Sequence, residues 1–328
     1  MAQNLTMDMN ETRPKELDAH EATISAPKHI LSVDVEDYFM VEAFAGSVHR
    51  SSWERWPSRV DANTRRVLDL LEKHNVRGTF FFVGWVAERF PALVREVHSR
   101  GHELACHSFW HRTVYSLTPA DFREDTRAAV RAIEDAAGVK VNGYRAPSWS
   151  ITKTCLWALD ILGEEGFTYD SSIYPIYHDL YGVPGAERFQ HTVTCENGRS
   201  LQEFPPPSVR VLGQNFPGAG GGYLRILPLV YTRWFFRRFE EAYHQRVVTY
   251  LHPWELDPEQ PRIHEKLRSR LRHYTNLRHM AHRVEYLLQT YSFSNFRDVM
   301  IRAKPSADEL VENPAQKCGV NLNRVSSL

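Results

Sequence analysis

The sequence predicts an α/β fold built around a parallel sheet, either open or closed into a barrel. Apolar runs of strand length alternate with helical patterns four or more times in series, which is typical of strand–helix units that form parallel sheets. One run, TFFFVG (residues 79–84), is apolar without interruption, as expected for a strand covered on both faces. A strong helix start at Thr118 supports the same interpretation.

Each predicted strand is short and apolar, and most are followed by a helical pattern. The predicted strands are His29–Val35, Thr79–Gly84, His102–His107, Val141–Ala146 and Arg246–His252. The helix after the third strand has the clearest start, because Thr118 can cap it, Pro119 suits its first position and Asp121 places an acid in its first turn. The predicted helices are 61–74, 91–100, 119–138, 152–165, 227–244, 261–272 and 276–290.

We predict one elaborated domain, because neither an internal repeat nor a clean linker divides the chain. Residues 28–303 form the predicted barrel domain, and about 255–303 of it is a C-terminal helical extension. Residues 174–226 read as long loops with short strands. The polar residues 1–27 are predicted to be a disordered leader, and residues 304–328 a loose tail.

Composition and charge argue against several classes of function. The 40 acidic and 40 basic residues balance, so no global field favours nucleic acid. No run of about 18 apolar residues occurs, so no membrane span is predicted. The N-terminal region lacks an apolar core of signal-peptide length, and the predicted location is the cytoplasm. The four cysteines are scattered, which predicts neither a disulfide framework nor a cysteine zinc site. They are Cys106, Cys155, Cys195 and Cys318.

Two histidines in the segment HSFWH are candidate metal ligands. His107 and His111 follow directly after a predicted strand, and histidines four apart on a helical turn can bind one metal. The spacing alone also fits two unrelated histidines, since the chain has 16. Their position at the carboxyl end of a parallel strand favours the functional interpretation, because active sites of α/β barrels gather there.

Further polar residues occur at the ends of other predicted strands. The segment DVED (residues 34–37) places three carboxylates at the end of the first strand, where desolvation is costly unless they are paired, protonated or bound to metal. Arg145 and His252 also fall at strand ends. An arginine can orient a carboxylate base, and a histidine can act as a general acid.

Several segments, in this order, resemble the NodB-homology polysaccharide deacetylases (carbohydrate esterase family 4), and more narrowly a branch found in bacterial exopolysaccharide and exosortase-associated loci. The resemblance covers about residues 29–296. Its segments are SVDVEDYF, GTFFFVGWVAERFP, GHELACHSFWH, GYRAPSWSI, YDSSIYPIYHDLYG, GGGYLR and YLHPWELDP.

The resemblance implies a distorted barrel with fewer strands than a full TIM barrel, and one divalent metal ion held by a carboxylate and two histidines. By motif, His107 and His111 correspond to the ligands. Asp34 corresponds to the catalytic base, Arg145 to its partner and His252 to the general acid. Asp170 in YDSS matches a motif that supports this machinery.

The sequence departs from the family at the carboxylate ligand. The usual motif has two adjacent aspartates, but here Val35 follows Asp34. Residues two apart on a strand share a face, which favours Glu36 as the ligand, with Asp37 as the alternative. A carboxylate with two imidazoles suits zinc, and cobalt, nickel or manganese are alternatives.

The predicted reaction is removal of acetyl groups from an acetylated oligo- or polysaccharide or its precursor. Metal-assisted attack of water would be helped by Asp34 as base and His252 as acid, with a backbone N–H near Ser148 holding the oxyanion. Three aromatic residues are further candidate substrate contacts: Trp149, Tyr223 and Trp254. Arg225 is a candidate sugar contact, and the glycine run GAGGGY (residues 218–223) is expected to be a flexible loop beside the cleft.

Two other functions fit the same residues. One is hydrolysis of a non-sugar amide on the same scaffold, and the other is a carbohydrate-binding relative without catalysis. The Arg/His-rich stretch 262–283 is most simply a set of solvated helix faces. Its alternative interpretation is attraction to a membrane surface or a lipid-linked diphosphate sugar, at the inner face of the membrane.

Overall fold

The computed structural model describes residues 28–178 and 180–303. The predicted leader, the predicted tail and Cys318 lie outside these residues. The strands are β1 His29–Val35, β2 Thr79–Phe82, β3 Glu103–Cys106, β4 Gly143–Tyr144, β5 Tyr169–Asp170, β6 His191–Thr194, β7 Ser200–Glu203, β8 Ser208–Val211, β9 Gln214–Pro217, β10 Val248–Leu251 and β11 Phe293–Ser294. The helices are α1 Val60–Lys73, α2 Gly84–Arg89, α3 Pro91–Ser99, α4 Pro119–Ala137, α5 Trp157–Glu164, α6 Gly221–Ile226, α7 Leu229–Arg237, α8 Leu267–Tyr274, α9 Leu277–Thr290 and α10 Phe296–Ala303.

The described strands form one nine-stranded sheet and a separate hairpin, β8–β9. The sheet order is β10-β1-β2-β3-β4-β5-β7-β6, and β11 also pairs with β1. Every pairing in the large sheet is parallel except that of β6 with β7. The sheet is curled into a half-barrel, which confirms the predicted α/β fold of distorted-barrel type. Strands β10 and β11 come from the second half of the chain and complete the sheet beside β1.

Alternation along β1 separates the packing face from the chemical face. Leu31, Val33 and Val35 pack into the large core between the sheet and the helices. Ser32 and Asp34 lie on the opposite face, inside the curl, and both are buried. Since successive strand side chains point to opposite faces, this alternation delivers a carboxylate into the barrel. The same rule places Cys106 in the outer core, away from His107.

The predicted start and end of α4 are confirmed. Thr118 Oγ1 accepts a hydrogen bond from Asp121 N at 3.1 Å, and the Asp121 carboxylate accepts from Thr118 N. Gly138 ends the helix with φ of +69°, a conformation that glycine adopts without a steric penalty.

Several predicted boundaries are wrong. The strand after Thr79 ends at Phe82 because Gly84 begins the short helix α2, which the sequence analysis missed. The predicted helix 152–165 begins only at Trp157, and the predicted helix 227–244 turns π-helical at Arg238. The predicted helix 261–272 lies at Leu267–Tyr274. Within the described part of the chain, no helix combines the length and apolarity needed to cross a bilayer.

The glycine run is packed, which corrects the prediction of a flexible loop. Gly221 begins helix α6, and Gly220 forms an isolated bridge with Tyr250. A Cβ on Gly220 would lie 2.2 Å from a carbon of the Tyr250 ring, and one on Gly218 would lie 2.5 Å from a Phe235 ring carbon. These residues are glycine because the backbone approaches two aromatic rings too closely for a side chain.

Candidate active site

The polar residues singled out in the sequence meet at one edge of the curled sheet. Asp34 lies near the end of β1, His107 follows β3, Arg145 follows β4 and His252 follows β10. These four strands are parallel members of one sheet, so their carboxyl ends lie together. The edge opens into a cleft of about 710 Å³ lined by Asp34, His107 and His252 among others.

Glu36, His107 and His111 form a cluster of metal-ligand type. One potential ligand atom from each lies within 4.8 Å of the others, and His111 Nε2 is 2.5 Å from Glu36 Oε2. All three are at most 3% exposed. The cluster joins the two histidines with the carboxylate that the sequence analysis favoured.

The chemistry of these donors fits a divalent ion. His107 Nδ1 donates to the carbonyl oxygen of Arg145 at 2.8 Å, which leaves Nε2 as the free ligand atom. Burial lowers the pKa of His107 to about 4, so its imidazole is neutral and can coordinate. Burial opposes ionisation of Glu36, but the neighbouring histidines hold its pKa well below the usual range. One carboxylate and two imidazoles suit zinc and also related transition metals.

The backbone between the two histidines is not a helical turn, which corrects the predicted geometry. Ser108 and His111 have φ of +64° and +50°, values that are uncommon for residues other than glycine. Asp125 of α4 holds this bend, because its carboxylate accepts from Ser108 Oγ at 2.6 Å and from Phe109 N at 2.7 Å. Asp125 carries no local signal of this role in the sequence, where it is one acid within an amphipathic helix.

Asp37, the alternative ligand, serves a different purpose. Its oxygens accept from Ser58 Oγ at 2.6 Å and from the backbone N–H groups of Arg59 and Val60 at 3.0 and 3.3 Å. These amides lie at the start of α1, so the carboxylate satisfies donors that a helix N-terminus leaves unpaired. Asp37 is not part of the Glu36–His107–His111 cluster.

Asp34 is held in place by a buried arginine. Arg145 Nη1 donates to Asp34 Oδ1 at 2.7 Å and to Ser32 Oγ at 2.8 Å, and Nη2 donates to Ser171 Oγ at 3.1 Å. Arg145 is fully buried, and its guanidinium lies 4.2 Å from the centre of the Phe81 ring. One Asp34 oxygen is thereby fixed, while Oδ2 lies 4.0 Å from His252 Nε2.

His252 is oriented by a buried pair that the sequence analysis did not identify. Glu255 Oε2 accepts from His252 Nδ1 at 3.1 Å and from His252 N at 3.0 Å. Glu255 Oε1 accepts from Arg225 Nε at 2.9 Å. Arg225 also donates to backbone carbonyls, among them that of His273 at 2.7 Å. Arg225 is therefore committed to Glu255 and the backbone, which corrects its prediction as a sugar contact.

Two carboxylates beside the His252 imidazole, those of Glu36 and Glu255, raise its pKa. Burial raises the pKa of Glu255, but His252 and Arg225 outweigh it and bring the pKa to about 2. Burial lowers the pKa of His252, but Glu36 and Glu255 outweigh it and raise the pKa to about 9. A cation bound at Glu36 would offset part of that effect. The sequence signal for the contact between His252 and Glu255 is their three-residue spacing in HPWE.

Glu255→Gln tests the orientation of His252. Three N–H groups donate hydrogen bonds to the two oxygens of Glu255. Glutamine replaces one of these oxygens with an NH₂ group, which would face an N–H donor and could not accept from it. We expect kcat to fall about 10²-fold, as for loss of a positioned general acid, while metal content stays unchanged. Steady-state kinetics with metal analysis check this. An unchanged kcat in a folded, metal-loaded variant would contradict the role of Glu255.

Asp170 supports the site indirectly, through Ser172. Its carboxylate accepts from Ser172 Oγ at 2.6 Å and Ser172 N at 3.0 Å, and Ser172 Oγ accepts from Ala146 N at 2.8 Å. Burial raises its pKa, with Glu203 as a close neighbour. Through Ser172, Asp170 stabilises the backbone that follows Arg145, and the adjacent Ser171 contacts the Arg145 side chain.

The four candidate substrate residues all line the cleft. Ser148 and Trp149 both have positive φ, of 52° and 54°, so the backbone is strained beside Arg145. Tyr223 is half-buried, and its hydroxyl lies 3.2 Å from that of Tyr181. Ser148 and Tyr223 remain candidate substrate contacts.

The two tryptophans are mostly covered by neighbouring side chains, which argues against sugar stacking on them. Trp149 packs edge-to-face on Tyr174 and Tyr250. Trp254 stacks on His252 on one side and on His273 on the other, and its Nε1 donates to Glu36 Oε1 at 3.1 Å. Trp254 therefore positions the metal-ligand cluster.

Two family profiles match successive parts of the chain. The polysaccharide deacetylase family profile matches residues 52–167, and a profile described as a domain of unknown function matches residues 171–301. The first profile contains His107, His111 and Arg145, and the second contains His252. Asp34 and Glu36 precede both.

Individual relatives point the same way. A chitooligosaccharide deacetylase of Bradyrhizobium sp. (strain ANU 289) is 31% identical over 155 residues, which are 47% of this chain and 65% of the relative. This relative is one of four curated deacetylases of which the chain spans only part of the length, from 17% to 65%.

Solved structures support the fold alone, because their sequence identities are low. A Mycobacterium smegmatis protein assigned as a polysaccharide deacetylase is 18% identical with a TM-score of 0.55, covering 97% of this chain and all of that one. An allantoinase is 14% identical with a TM-score of 0.51, covering 88% and 96%. From its family profile and its curated relatives, the chain carries a polysaccharide deacetylase domain, which the profile matches over residues 52–167.

Proposed function

We propose that this chain is a metal-dependent hydrolase that removes N-acetyl groups from a bacterial polysaccharide or its precursor. The observation that carries the proposal is the convergence of Glu36, His107 and His111 beside Asp34 and His252, at the base of one cleft. These groups would supply the metal ligands, a base and an acid for hydrolysis of an acetyl group bound in the cleft. Curated relatives named as deacetylases of chitooligosaccharides and peptidoglycan support the same chemistry.

The ligand cluster would hold one divalent ion, and we propose zinc, with cobalt, nickel or manganese as alternatives. When bound, the ion supplies Lewis-acid polarisation of the acetyl carbonyl and of the attacking water. Trp254 keeps Glu36 oriented through its indole N–H. The His107 hydrogen bond to the Arg145 carbonyl keeps that ring turned toward the cluster.

Asp34 and His252 would move the protons. Arg145 fixes Oδ1 of Asp34, so Oδ2 is the atom that takes the proton of the attacking water. His252 carries its Nε2 proton on the side of Asp34 and Glu36, where it can protonate the departing amine nitrogen. A backbone N–H near Ser148 and the Tyr223 hydroxyl are the proposed contacts to the acetyl oxygen and to the sugar.

A non-sugar amide is the second candidate substrate. The fold likeness to an allantoinase favours it, and so does the generality of amide hydrolysis by these groups. A ureide would contact only the base of the cleft, whereas the lining continues outward to α8. That extension supports a longer substrate. A binding relative without catalysis is disfavoured because the proposed ligands, base and acid are all present together.

The location of the protein also stays a proposal. We place it in the cytoplasm or at the inner face of the membrane, acting on a precursor that includes a lipid-linked form. Helix α8 carries three arginines and exposes Leu267 and Leu271, which supports association with a membrane surface. Cell fractionation would test this, and recovery only in an extracytoplasmic fraction would refute it.

The function is tested by acetate release. Zinc-loaded protein is incubated with acetylated chitooligosaccharides, peptidoglycan fragments and allantoin, and acetate and amine products are measured. Release of acetate from a sugar, abolished by chelation and restored by zinc, supports deacetylation. Hydrolysis of allantoin alone would replace it with the second candidate. Binding of sugars with no product from any substrate would indicate the non-catalytic relative.

A further inference from the structure

Helix α8 forms one wall of the cleft and presents cations to it. Lys266, at the start of the helix, and Arg268, Ser269 and Arg272 line the cleft. Residues 267–274, LRSRLRHY, contain three arginines and no acid. The wall lies in the part of the chain matched by the profile of unknown function, so the family profile does not describe it.

The helix has two distinct faces. Leu267, Arg270 and Leu271 are exposed and do not line the cleft. They are spaced three and four residues apart, and such residues share one face of a helix. The cations toward the cleft therefore differ in position from Arg270, which supplies a matched control on the same helix.

The cationic wall is fixed to the proposed catalytic residues. His273 stacks on Trp254 with ring centroids 4.1 Å apart, and Trp254 donates to Glu36. Arg225 donates to the carbonyls of Arg272 and His273 at 3.1 and 2.7 Å while it pairs with Glu255. The position of α8 relative to the ligand cluster is thus set by buried contacts.

Lys266 and Arg272 present their charges at the cleft, and the acid next to Lys266, Glu265, accepts a hydrogen bond from Ser47 Oγ. Among residues 28–178 and 180–303, no ion pair involves the side chain of Lys266 or that of Arg272, and both are exposed. Arg272 and Tyr181 both line the cleft, and the Arg272 charge opposes the rise that burial causes in the pKa of Tyr181. The acid Glu42 also lines the cleft. Its charge acts to raise the pKa of Arg50 and that of Tyr115.

We propose that Lys266 and Arg272 bind an anionic group on the substrate, carried next to the acetylated sugar. The proposal rests on the proposed function and names its substrate class, an acidic acetamido saccharide. An arginine fork matches a carboxylate or a phosphate, and a lysine adds a point charge. The two sources of the anion are a uronic acid in the chain and a diphosphate at the reducing end of a sugar donor.

Binding measurements separate this proposal from catalysis. Zinc-loaded Asp34→Asn protein, chosen because we propose that it binds without turnover, is titrated calorimetrically with three probes. These are a hexasaccharide of alternating N-acetylglucosamine and glucuronic acid, neutral chitohexaose, and UDP-N-acetylglucosamine. We expect one of the anionic probes to bind roughly tenfold more tightly than chitohexaose at low salt, and high salt to remove the difference.

Charge-neutralising variants then locate the effect. Lys266→Gln with Arg272→Gln should remove the preference and leave chitohexaose affinity unchanged, whereas Arg270→Gln should leave both affinities unchanged. Preference for the uronate probe identifies a carboxylate, and preference for the nucleotide sugar a diphosphate. Equal affinities for all probes, or a preference that survives the double substitution, would overturn the proposal. Acetate release from chitohexaose by the wild type would still support the proposed function in that case.

Discussion

Glu36→Gln is expected to abolish stoichiometric metal binding and to lower kcat/KM at least about 10³-fold. The amide removes the negative charge that two neutral imidazoles need as a companion for a divalent ion, and the ion contributes several kcal/mol to the reaction. Glu36 Oε2 lies 2.5 Å from His111 Nε2, and Glu36 supplies the carboxylate of the Glu36–His107–His111 cluster. Metal per chain, measured by mass spectrometry after zinc reconstitution, checks the prediction.

Asp37→Asn is the matched control, because it changes the neighbouring carboxylate in the same way. Asp37 accepts from Ser58 and from two amides at the start of α1, and an asparagine can accept at only one of its two terminal atoms. We expect a full complement of metal and a lower melting temperature. Retained metal in Glu36→Gln together with lost metal in Asp37→Asn would reassign the ligand.

Asp34→Asn is expected to lower kcat about 10²- to 10⁴-fold, the range for loss of a general base, while one ion per chain is retained. The amide cannot take a proton from water. It also leaves the buried Arg145 without its anionic partner, so the variant will be less stable. Kinetics are therefore measured together with metal content and a thermal melt, at a temperature where the variant is folded.

Ser32→Ala separates the base from its support. Ser32 accepts from the same Arg145 nitrogen as Asp34, but it has no group that takes a proton from water. We expect kcat within about threefold of wild type, because Arg145 keeps its charge-assisted bond to Asp34. A loss as large as that of Asp34→Asn would mean that the alignment of Arg145, and not proton transfer to Asp34, limits the reaction.

Local pattern was sufficient for most of the fold. Continuous apolar runs, the Thr118 cap and the alternation along β1 each depend on residues near one another in sequence, and they predicted the strands that carry the site. The errors lie where tertiary contacts override local pattern. Gly218, Gly220 and Gly221 are packed and not flexible, because two aromatic rings lie against their backbone, and the HSFWH segment bends because Asp125 binds its amides.

The sequence by itself determined which side chains stand at strand ends, because the two-residue period of a strand and the parallel pairing of strands fix their side and edge. Only the tertiary structure places Glu36, and not Asp37, with His107 and His111, because Asp37 accepts hydrogen bonds from Ser58 and from the amides at the start of α1. It also decided that Arg225 and Glu255 support His252 and that α8 lines the cleft. The contacts of Arg225 with Glu255 and with His273 join residues 30 and 48 apart in the chain, and their geometry exists only after the sheet has curled and its C-terminal helices have packed.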